Sequence, residues 1–350
     1  MGRNTTIIYR NIFFGLGFLA LVVMVWCIGW DEIVANVVKT GWWFFAIIGI
    51  WLPIYMINSA ALNTIIRDDN PYNRRVSFWH IFKINVSGFA LKAATPLGFI
   101  GGDPYKVIEL TSLYGVEKAT SSVLLYTMSH ITAQCIFWAL SIVVAALFLP
   151  MALNASIILL ISFLIFVVLL FLLWRGYRKG LTVRFFRIMS QVPFLKRWII
   201  PFCLKYDTNL LQIDQQISHL YNRRRRAFLT TISLELLARI CNCMEVYIIL
   251  KSVNVDVNII QSIVIYSFMS LFTNILFFSP MQIGTREGGF LLAFKALSLA
   301  GWLGVYVSLI TRVRELIWIG IGVLLMKFKG KSYQVPIPQE TILINQEQEF

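Results

Sequence analysis

The sequence is poor in charged residues. Only 14% of its 350 residues are Asp, Glu, Lys or Arg, whereas 58% are hydrophobic, and the mean hydropathy is +0.73. Soluble domains typically carry about 25% charged and about 45–50% apolar residues. A water-soluble fold is therefore excluded, and we expect an all-α polytopic membrane protein with one transmembrane domain over residues 1–328 and a polar tail over 329–350.

Motifs for cofactors, metals and nucleotides are also missing. No CxxC pair occurs, the three histidines lie in unrelated segments, and no glycine-rich loop runs into Lys-Ser or Lys-Thr. We therefore expect no cofactor, no metal site, no disulfide framework and no ATP hydrolysis by this chain. The five cysteines are Cys27, Cys135, Cys203, Cys241 and Cys243, and the three histidines are His80, His130 and His219.

Acidic residues are scarce beside basic ones, with 17 Asp and Glu against 31 Lys and Arg. Twelve of the basic residues fall within 175–226, which contains only two acids, Asp207 and Asp214. This clustering predicts a cytoplasmic connector near anionic lipid and disfavours nucleic acid as a partner. Within it, Phe202–Tyr221 fits either an amphipathic helix on the membrane surface or a solvated linker helix.

Long uncharged runs predict the membrane spans. The run over 119–174 is too long for one helix, so we expect two helices hinged at Leu149, Pro150 and Asn154. Basic ends place both termini in the cytoplasm of a multi-pass membrane protein. The predicted spans are Asn11–Trp30, Thr40–Ile66, the two helices of Ala119–Trp174, Ala227–Leu250, 258–279 and Trp302–Met326.

Two segments, 78–116 and 280–300, carry charge and do not fit simple spanning helices. They share a pattern: Thr95-Pro96-Leu97-Gly98-Phe99-Ile100-Gly101-Gly102-Asp103 lies 184 residues before Ser279-Pro280-Met281-Gln282-Ile283-Gly284-Thr285-Arg286-Glu287. Polar backbone at membrane depth requires contact with protein or with a water-filled cavity. We predict two inverted halves, about 40–149 and 226–326, whose interrupted helices meet at a binding site near the membrane centre.

The two motifs resemble a known family. Pro96 to Lys106, followed downstream by Ser279 to Gly288, is similar to the lysylphosphatidylglycerol synthase transmembrane-region family, over most of residues 8–328. The resemblance implies a bacterial inner-membrane protein with re-entrant helices that moves a lipid between leaflets, in the best-known members an aminoacylated phospholipid. It places Pro96, Gly101, Gly102, Asp103 and Lys106 in the first re-entrant motif and Pro280, Gly284, Arg286, Glu287 and Gly288 in the second.

The sequence departs from that family in two places. Many members carry an acid–arginine pair after the first motif, where this chain has Ser122 to Thr127. The soluble C-terminal aminoacyl-transferase domain of the full synthases is absent, so we expect no synthesis of a lysyl-lipid by this chain.

Charged residues also lie inside predicted spans, where each costs roughly 2.5–3.5 kcal/mol on insertion scales. Glu235, Arg239, Asn242 and Glu245 form one stripe of a helix, and Ser308, Arg312 and Glu315 repeat the spacing, with Arg314 on another face. We predict the pairs Glu235–Arg239 and Arg312–Glu315. His130 shares a face with Tyr126 and Gln134 and is expected to be a hydrogen-bonded core histidine, with proton coupling as the alternative.

These features favour a lipid transporter whose partner is a membrane lipid with an anionic or zwitterionic headgroup. Helix N-termini and Lys92, Lys106, Arg286, Arg312 and Arg314 would bind the phosphate, while Asp103 and Glu287 would pair with those bases or bind a cationic amine. The alternative is a glycosyltransferase that uses a polyprenyl-phosphate sugar, with a carboxylate base at Asp31-Glu32, although Asp31 also fits a helix N-cap. A nonenzymatic assembly role is a third candidate. A homo-oligomer or a separate lipid-modifying enzyme is a further expected partner.

Overall fold

The computed structural model describes residues 29–67, 76–94, 101–149, 153–179, 225–276, 282 and 284–327, with a few positions between 15 and 26. The described residues form helices and contain no strand, which confirms an all-α protein. The helices are α1 (Trp30–Thr40), α2 (Trp43–Gly49), α3 (Trp51–Ile66), α4 (Phe78–Ala94), α5 (Gly102–Tyr114), α6 (Val116–Phe148), α7 (Leu153–Lys179), α8 (Arg225–Ser252), α9 (Ile259–Ile275), α10 (Thr285–Ala296) and α11 (Trp302–Lys327).

Three described segments are long and apolar enough to cross a membrane: Trp43–Ile66, Val116–Phe148 and Ser156–Gly176. The first combines α2 and α3, which join at Ile50. Only 6% of the Ser156–Gly176 window is buried inside the protein, so α7 presents its apolar side chains to lipid. Helices α8 and α11 are comparably long, with 28 and 26 residues, but carry the charges described below.

The predicted division of the uncharged run 119–174 is confirmed. Helix α6 ends at Phe148, and Leu149 takes an extended conformation with φ −114° and ψ 133°. A residue before proline is disfavoured in the helical region, which accounts for the break at Leu149. The prediction was wrong for Asn154, which lies in the first turn of α7 rather than in the hinge.

The two predicted broken segments contain short helices. Helices α5 and α10 have 13 and 12 residues, about 20 Å and 18 Å at 1.5 Å per residue, so neither spans a hydrocarbon core of about 30 Å. Pro96 and Pro280, with the residues directly around them, lie outside the described residues. Their meeting near the membrane centre therefore stays a prediction.

Glycines allow α4 and α5 to approach closely. A Cβ on Gly102 would lie 2.6 Å from the Gly88 carbonyl oxygen and 2.8 Å from Lys92 Cβ, and a Cβ on Gly88 would lie 2.8 Å from Lys106 Cε. Gly289 similarly brings α10 against α9, where its Cβ would lie 2.9 Å from Met269 Cα. The first contact sets the distance between the two helices that carry Lys92 and Lys106.

Alanine at Gly102 is expected to destabilise the protein by about 1–3 kcal/mol, because its Cβ would overlap the α4 backbone. Thermal unfolding in detergent, followed by size-exclusion chromatography, measures the change. Gly49→Ala is the matched control, since a Cβ there meets nothing within 4 Å. Equal melting temperatures for the two variants would contradict the close approach of α4 and α5.

Several predicted elements lie wholly or mostly outside the described residues: the span Asn11–Trp30, the segment Phe202–Tyr221 and the tail 329–350. The predicted N-cap role of Asp31 was wrong. Helix α1 begins at Trp30 after Gly29, and Asp31 is exposed in its first turn.

Candidate functional site

The first motif leads into a polar cluster at the start of α5, which we call the Asp103 group. Lys106 Nζ lies 3.3 Å from Asp103 Oδ1, and Thr127 on α6 donates a hydrogen bond to Asp103 Oδ2 at 3.1 Å. The Lys106 ammonium is 5.0 Å from the ring centre of Tyr126. The stretch that lacks the family's acid–arginine pair thus supplies a hydroxyl to the carboxylate and an aromatic ring to the ammonium.

Lys92, near the end of α4, completes the Asp103 group. Its side chain is exposed, yet it interacts electrostatically with Asp103, Lys106, Glu235 and Arg239, which come from two other helices. An accessible lysine thus lies among charged side chains of two further helices. Asp103 is also partly accessible, with a side chain that is 28% exposed.

A second cluster, the His130 group, joins α6 to α8 through His130, Glu235 and Arg239. His130 Nδ1 lies 2.7 Å from Glu235 Oε2, and Arg239 donates from a terminal nitrogen to the His130 carbonyl oxygen at 3.1 Å. The predicted Glu235–Arg239 pair was therefore wrong. The two residues are one turn apart on α8, but both reach across to α6, which packs against this face.

The second motif builds a third cluster, the Glu287 group, where α10 meets α11. Glu287 accepts hydrogen bonds from Arg312 Nε and from the Ser308 hydroxyl, each at 2.8 Å. Its other oxygen accepts the Gly284 backbone N–H at 2.8 Å, which caps the start of α10, and Gly284 adopts the φ of +79° that glycine tolerates. Glu287 thus fixes the helix start and engages α11 simultaneously.

Arg286, the neighbour of Glu287, points to a different acid on α11. It donates to Glu315 at 2.7 Å and to the Gln282 side-chain carbonyl at 2.9 Å, and Arg286 and Glu315 are both almost fully buried. The predicted Arg312–Glu315 pair was therefore wrong, because each of those residues has a partner from the second motif. Two ion pairs with no net charge tie α10 to α11.

Arg314 forms the most enclosed ion pair, with Glu245 on α8. Two hydrogen bonds, of 2.8 Å and 3.1 Å, join the guanidinium to the two carboxylate oxygens, and both side chains are about 95% buried. The guanidinium carbon also lies 3.7 Å from the ring centre of Trp51 on α3. This geometry satisfies both charges within the protein interior.

The predicted polar stripe on α8 is buried along its whole length, with Glu235, Arg239, Asn242 and Glu245 all under 9% exposed. Its Glu235 end contacts the His130 group, and its Glu245 end contacts Arg314. The α8 stripe thus contacts both α6 and α11.

The predicted site glycines have backbone roles. Gly101 precedes α5, Gly102 packs on Gly88, and Gly288 packs on Phe272 of α9. The sequence analysis missed Gln282, Trp51 and Thr127. Gln282 stands inside the quoted second motif with a positive φ of 56°, whereas no local pattern marks Trp51 or Thr127 as charge partners. The described residues contain no group of three His, Cys, Asp or Glu placed to hold a metal ion.

Residues 12–322 match the sequence model of the family described as Lysylphosphatidylglycerol synthase TM region. The chain belongs to this family. The match covers most of the chain and confirms the resemblance drawn from the two motifs. No curated protein and no solved structure matched the chain. Family membership and the apolar helices together make this a membrane protein linked to lipid modification or translocation.

Proposed function

We propose that this protein moves a lipid with a phosphate-containing headgroup between the leaflets of the bacterial inner membrane, with both termini in the cytoplasm. The observation that supports it best is the buried charge on α8, which connects the Asp103 group to the ion pairs of α11. Charges inside membrane helices are costly and typically mark a substrate or ion pathway. We assign no catalytic step to these residues.

The helix order supports the two predicted halves. Adding 184 to the bounds of α3, α4, α5 and α6 gives 235–250, 262–278, 286–298 and 300–332, which overlap α8, α9, α10 and α11. The equivalent acids Asp103 and Glu287 each accept a hydrogen bond from a hydroxyl group on the long helix that follows. The donors are Thr127 on α6 and Ser308 on α11. Repeated units of this kind, when inverted, provide an alternating-access transporter.

The short helices supply the re-entrant part of the proposal. Helices α5 and α10 begin at Gly102 and Thr285, next to the two motifs, and each carries its acid in the first turn. We infer that both enter the membrane without crossing it and direct their N-termini toward the substrate path. A helix N-terminus offers free N–H groups and partial positive charge to a phosphate.

Carboxylates engage the candidate phosphate-binding groups in the described state. Asp103 bonds Lys106, Glu287 bonds Arg312, and Glu315 bonds Arg286. A lipid phosphate can replace a carboxylate as the hydrogen-bonded partner of each base, so every base keeps a counter-charge in the membrane interior. The exposed apolar surface of α7 leaves room for acyl chains alongside the bundle. A homo-oligomer or a separate enzyme that modifies the lipid remains the expected partner.

Lipid transfer in reconstituted vesicles tests the proposal. Fluorescent phosphatidylglycerol placed in the outer leaflet is expected to lose its accessibility to dithionite as the protein moves it inward. Lys106→Gln is expected to slow transfer at least tenfold, because an interior cation is lost. Lys295→Gln is the matched control, since Lys295 is exposed on α10. Equal rates for wild-type vesicles and protein-free vesicles would overturn the proposal.

A different set of results would support the glycosyltransferase alternative. Asp31 is exposed on α1 and makes no hydrogen bond or ion pair within the described part of the chain. If the protein transferred sugar from a polyprenyl-phosphate donor and Asp31→Ala abolished that transfer, while Lys106→Ala and Arg286→Ala moved lipid normally, the alternative would replace lipid transport.

A further inference from the structure

Among the described interior ion pairs, the pair of His130 and Glu235 is the one that contains a histidine. Arg286–Glu315, Arg312–Glu287 and Arg314–Glu245 all use arginine, which stays protonated at any physiological pH. The His130–Glu235 pair instead contains an imidazole, whose charge changes near neutral pH. This pair can therefore take up or release a proton while the arginine pairs remain ionised.

Access to the pair is one-sided. The His130 side chain is 36% exposed, whereas that of Glu235 is 1% exposed. Lys92, which interacts electrostatically with Glu235, is exposed as well. The imidazole is therefore the accessible member of the pair, and it connects the buried carboxylate to the protein surface near Lys92.

The buried side of the pair has unused hydrogen-bonding capacity. Glu235 Oε1 and Arg239 Nε are both buried, and neither atom has a hydrogen-bond partner of its own within the described residues, although the Tyr126 hydroxyl interacts with the Glu235 carboxylate. Buried polar atoms in native proteins normally have partners, supplied by protein, water or ligand. Glu235 can therefore accept a proton on Oε1 while it keeps its hydrogen bond to His130 through Oε2.

The charged side chains around the His130–Glu235 pair determine how its protonation affects the binding of a charged ligand. Lys92, Lys106 and Arg239 carry three positive charges, and Asp103 and Glu235 carry two negative charges, so these five side chains sum to +1 with a neutral imidazole. One added proton raises the sum to +2. The titratable or charged groups that interact with the pair or with its Arg239 neighbour are Lys92 from α4, Tyr126 and Cys135 from α6, Arg239 and Cys243 from α8, and Tyr266 from α9. Asp103 and Lys106 from α5 interact with Lys92.

We propose that His130 and Glu235 form a proton-binding site, and that proton uptake there strengthens the binding of an anionic lipid headgroup at Lys92 and Lys106. The inference rests on the proposed lipid transport and adds a coupled ion to it. Linkage requires the effect to be reciprocal, so a bound headgroup also strengthens proton binding. Proton and lipid then bind and leave the protein together.

The proton step needs no further reactant. A proton from the surrounding water bonds to the His130 ring or to Glu235 Oε1, which takes the pair from a charge of −1 to 0, and the same proton returns to water when the headgroup leaves. The two protonation sites belong to one coupled pair and titrate as a unit. No other bond is made or broken.

Lipid binding at two pH values tests the inference. Fluorescent short-chain phosphatidylglycerol is titrated into the purified full-length protein in detergent at pH 6 and pH 8, where its phosphate keeps the same charge. One additional charge in a partly solvated site predicts about tenfold tighter binding at pH 6 for the wild-type protein. Fluorescent diacylglycerol, which lacks the phosphate, is expected to bind equally at both pH values.

Two variants are expected to remove this pH dependence in opposite directions. Glu235→Gln has the charge of the protonated pair and is expected to bind phosphatidylglycerol tightly at both pH values. His130→Gln keeps the charge of the unprotonated pair and is expected to bind weakly at both. His80→Gln, on α4 and outside the pair, is the control that follows the wild type.

The results separate the two proposals. If both variants retained the wild-type change between pH 6 and pH 8, the proton site would be wrong while lipid binding stood. If the wild-type protein bound phosphatidylglycerol equally at both pH values, the inference would also be wrong. Absence of phosphatidylglycerol binding at either pH would instead overturn the proposed lipid transport.

Discussion

Replacing Arg314 with leucine is expected to lower the free energy of unfolding by about 3–5 kcal/mol. Arg314 forms two hydrogen bonds with Glu245, and both side chains are buried between α8 and α11. Leucine would leave the Glu245 carboxylate without its counter-charge in the protein interior. It would also remove the guanidinium from the face of Trp51.

Thermal unfolding in detergent, read by tryptophan fluorescence or by size-exclusion chromatography after heating, measures this loss. Arg225→Leu is the control for loss of an arginine, because Arg225 is exposed at the start of α8. The double variant Glu245→Gln/Arg314→Gln is expected to recover more than half of the lost stability, since both charges are removed together. A double variant as unstable as Arg314→Leu would contradict the charge-pair explanation.

Arg286→Gln combined with Glu315→Gln is expected to reduce lipid transfer more than tenfold while the protein stays folded. The double change removes both charges of a buried pair and leaves two polar amides, so no uncompensated charge remains. The guanidinium that would exchange its carboxylate for a lipid phosphate is lost. Rate measurements with fluorescent phosphatidylglycerol in vesicles, with monodispersity checked in detergent, provide the comparison.

The single change Arg286→Ala distinguishes a loss of stability from a loss of transport less clearly than the double variant does. It leaves Glu315 buried beside Arg314 and Arg312 but without its own hydrogen-bonded partner, so reduced stability is expected as well. Recovery of wild-type transfer in the double glutamine variant would show that Arg286 serves only to neutralise Glu315. Continued loss in a stable double variant would support a direct role in headgroup binding.

Periodicity and local stereochemistry predicted the helices well. The uncharged run 119–174 divides at Leu149 because the residue before a proline disfavours the helical region. The start of α9 agrees with the predicted span at 258, where Asn258 and Gln261 form a reciprocal cap. Such features depend on residues that are neighbours in sequence, so they can be read without a tertiary structure.

The charge pairs could not be predicted in the same way. Glu235 and Arg239 lie one turn apart on α8, as do Arg312 and Glu315 on α11, and that spacing favours pairing in an isolated helix. In the bundle, Glu235 bonds His130 and Glu315 bonds Arg286. Asp103 and Lys106 do pair within one helix, so the spacing alone does not tell which charges pair along a helix and which pair across the bundle.

By itself, the sequence determined that this is an all-α membrane protein of the lysylphosphatidylglycerol synthase transmembrane-region family, with two related motifs and a buried polar stripe on α8. Composition, hydrophobic periodicity and sequence motifs are properties of the sequence itself, so they do not depend on how the helices pack. Only the tertiary structure decided which acid neutralises which base, because those contacts depend on helix crossings such as that of Gly88 with Gly102. The membrane interior cannot solvate an isolated charge, so these helix crossings also decide which charged groups are available to bind a substrate.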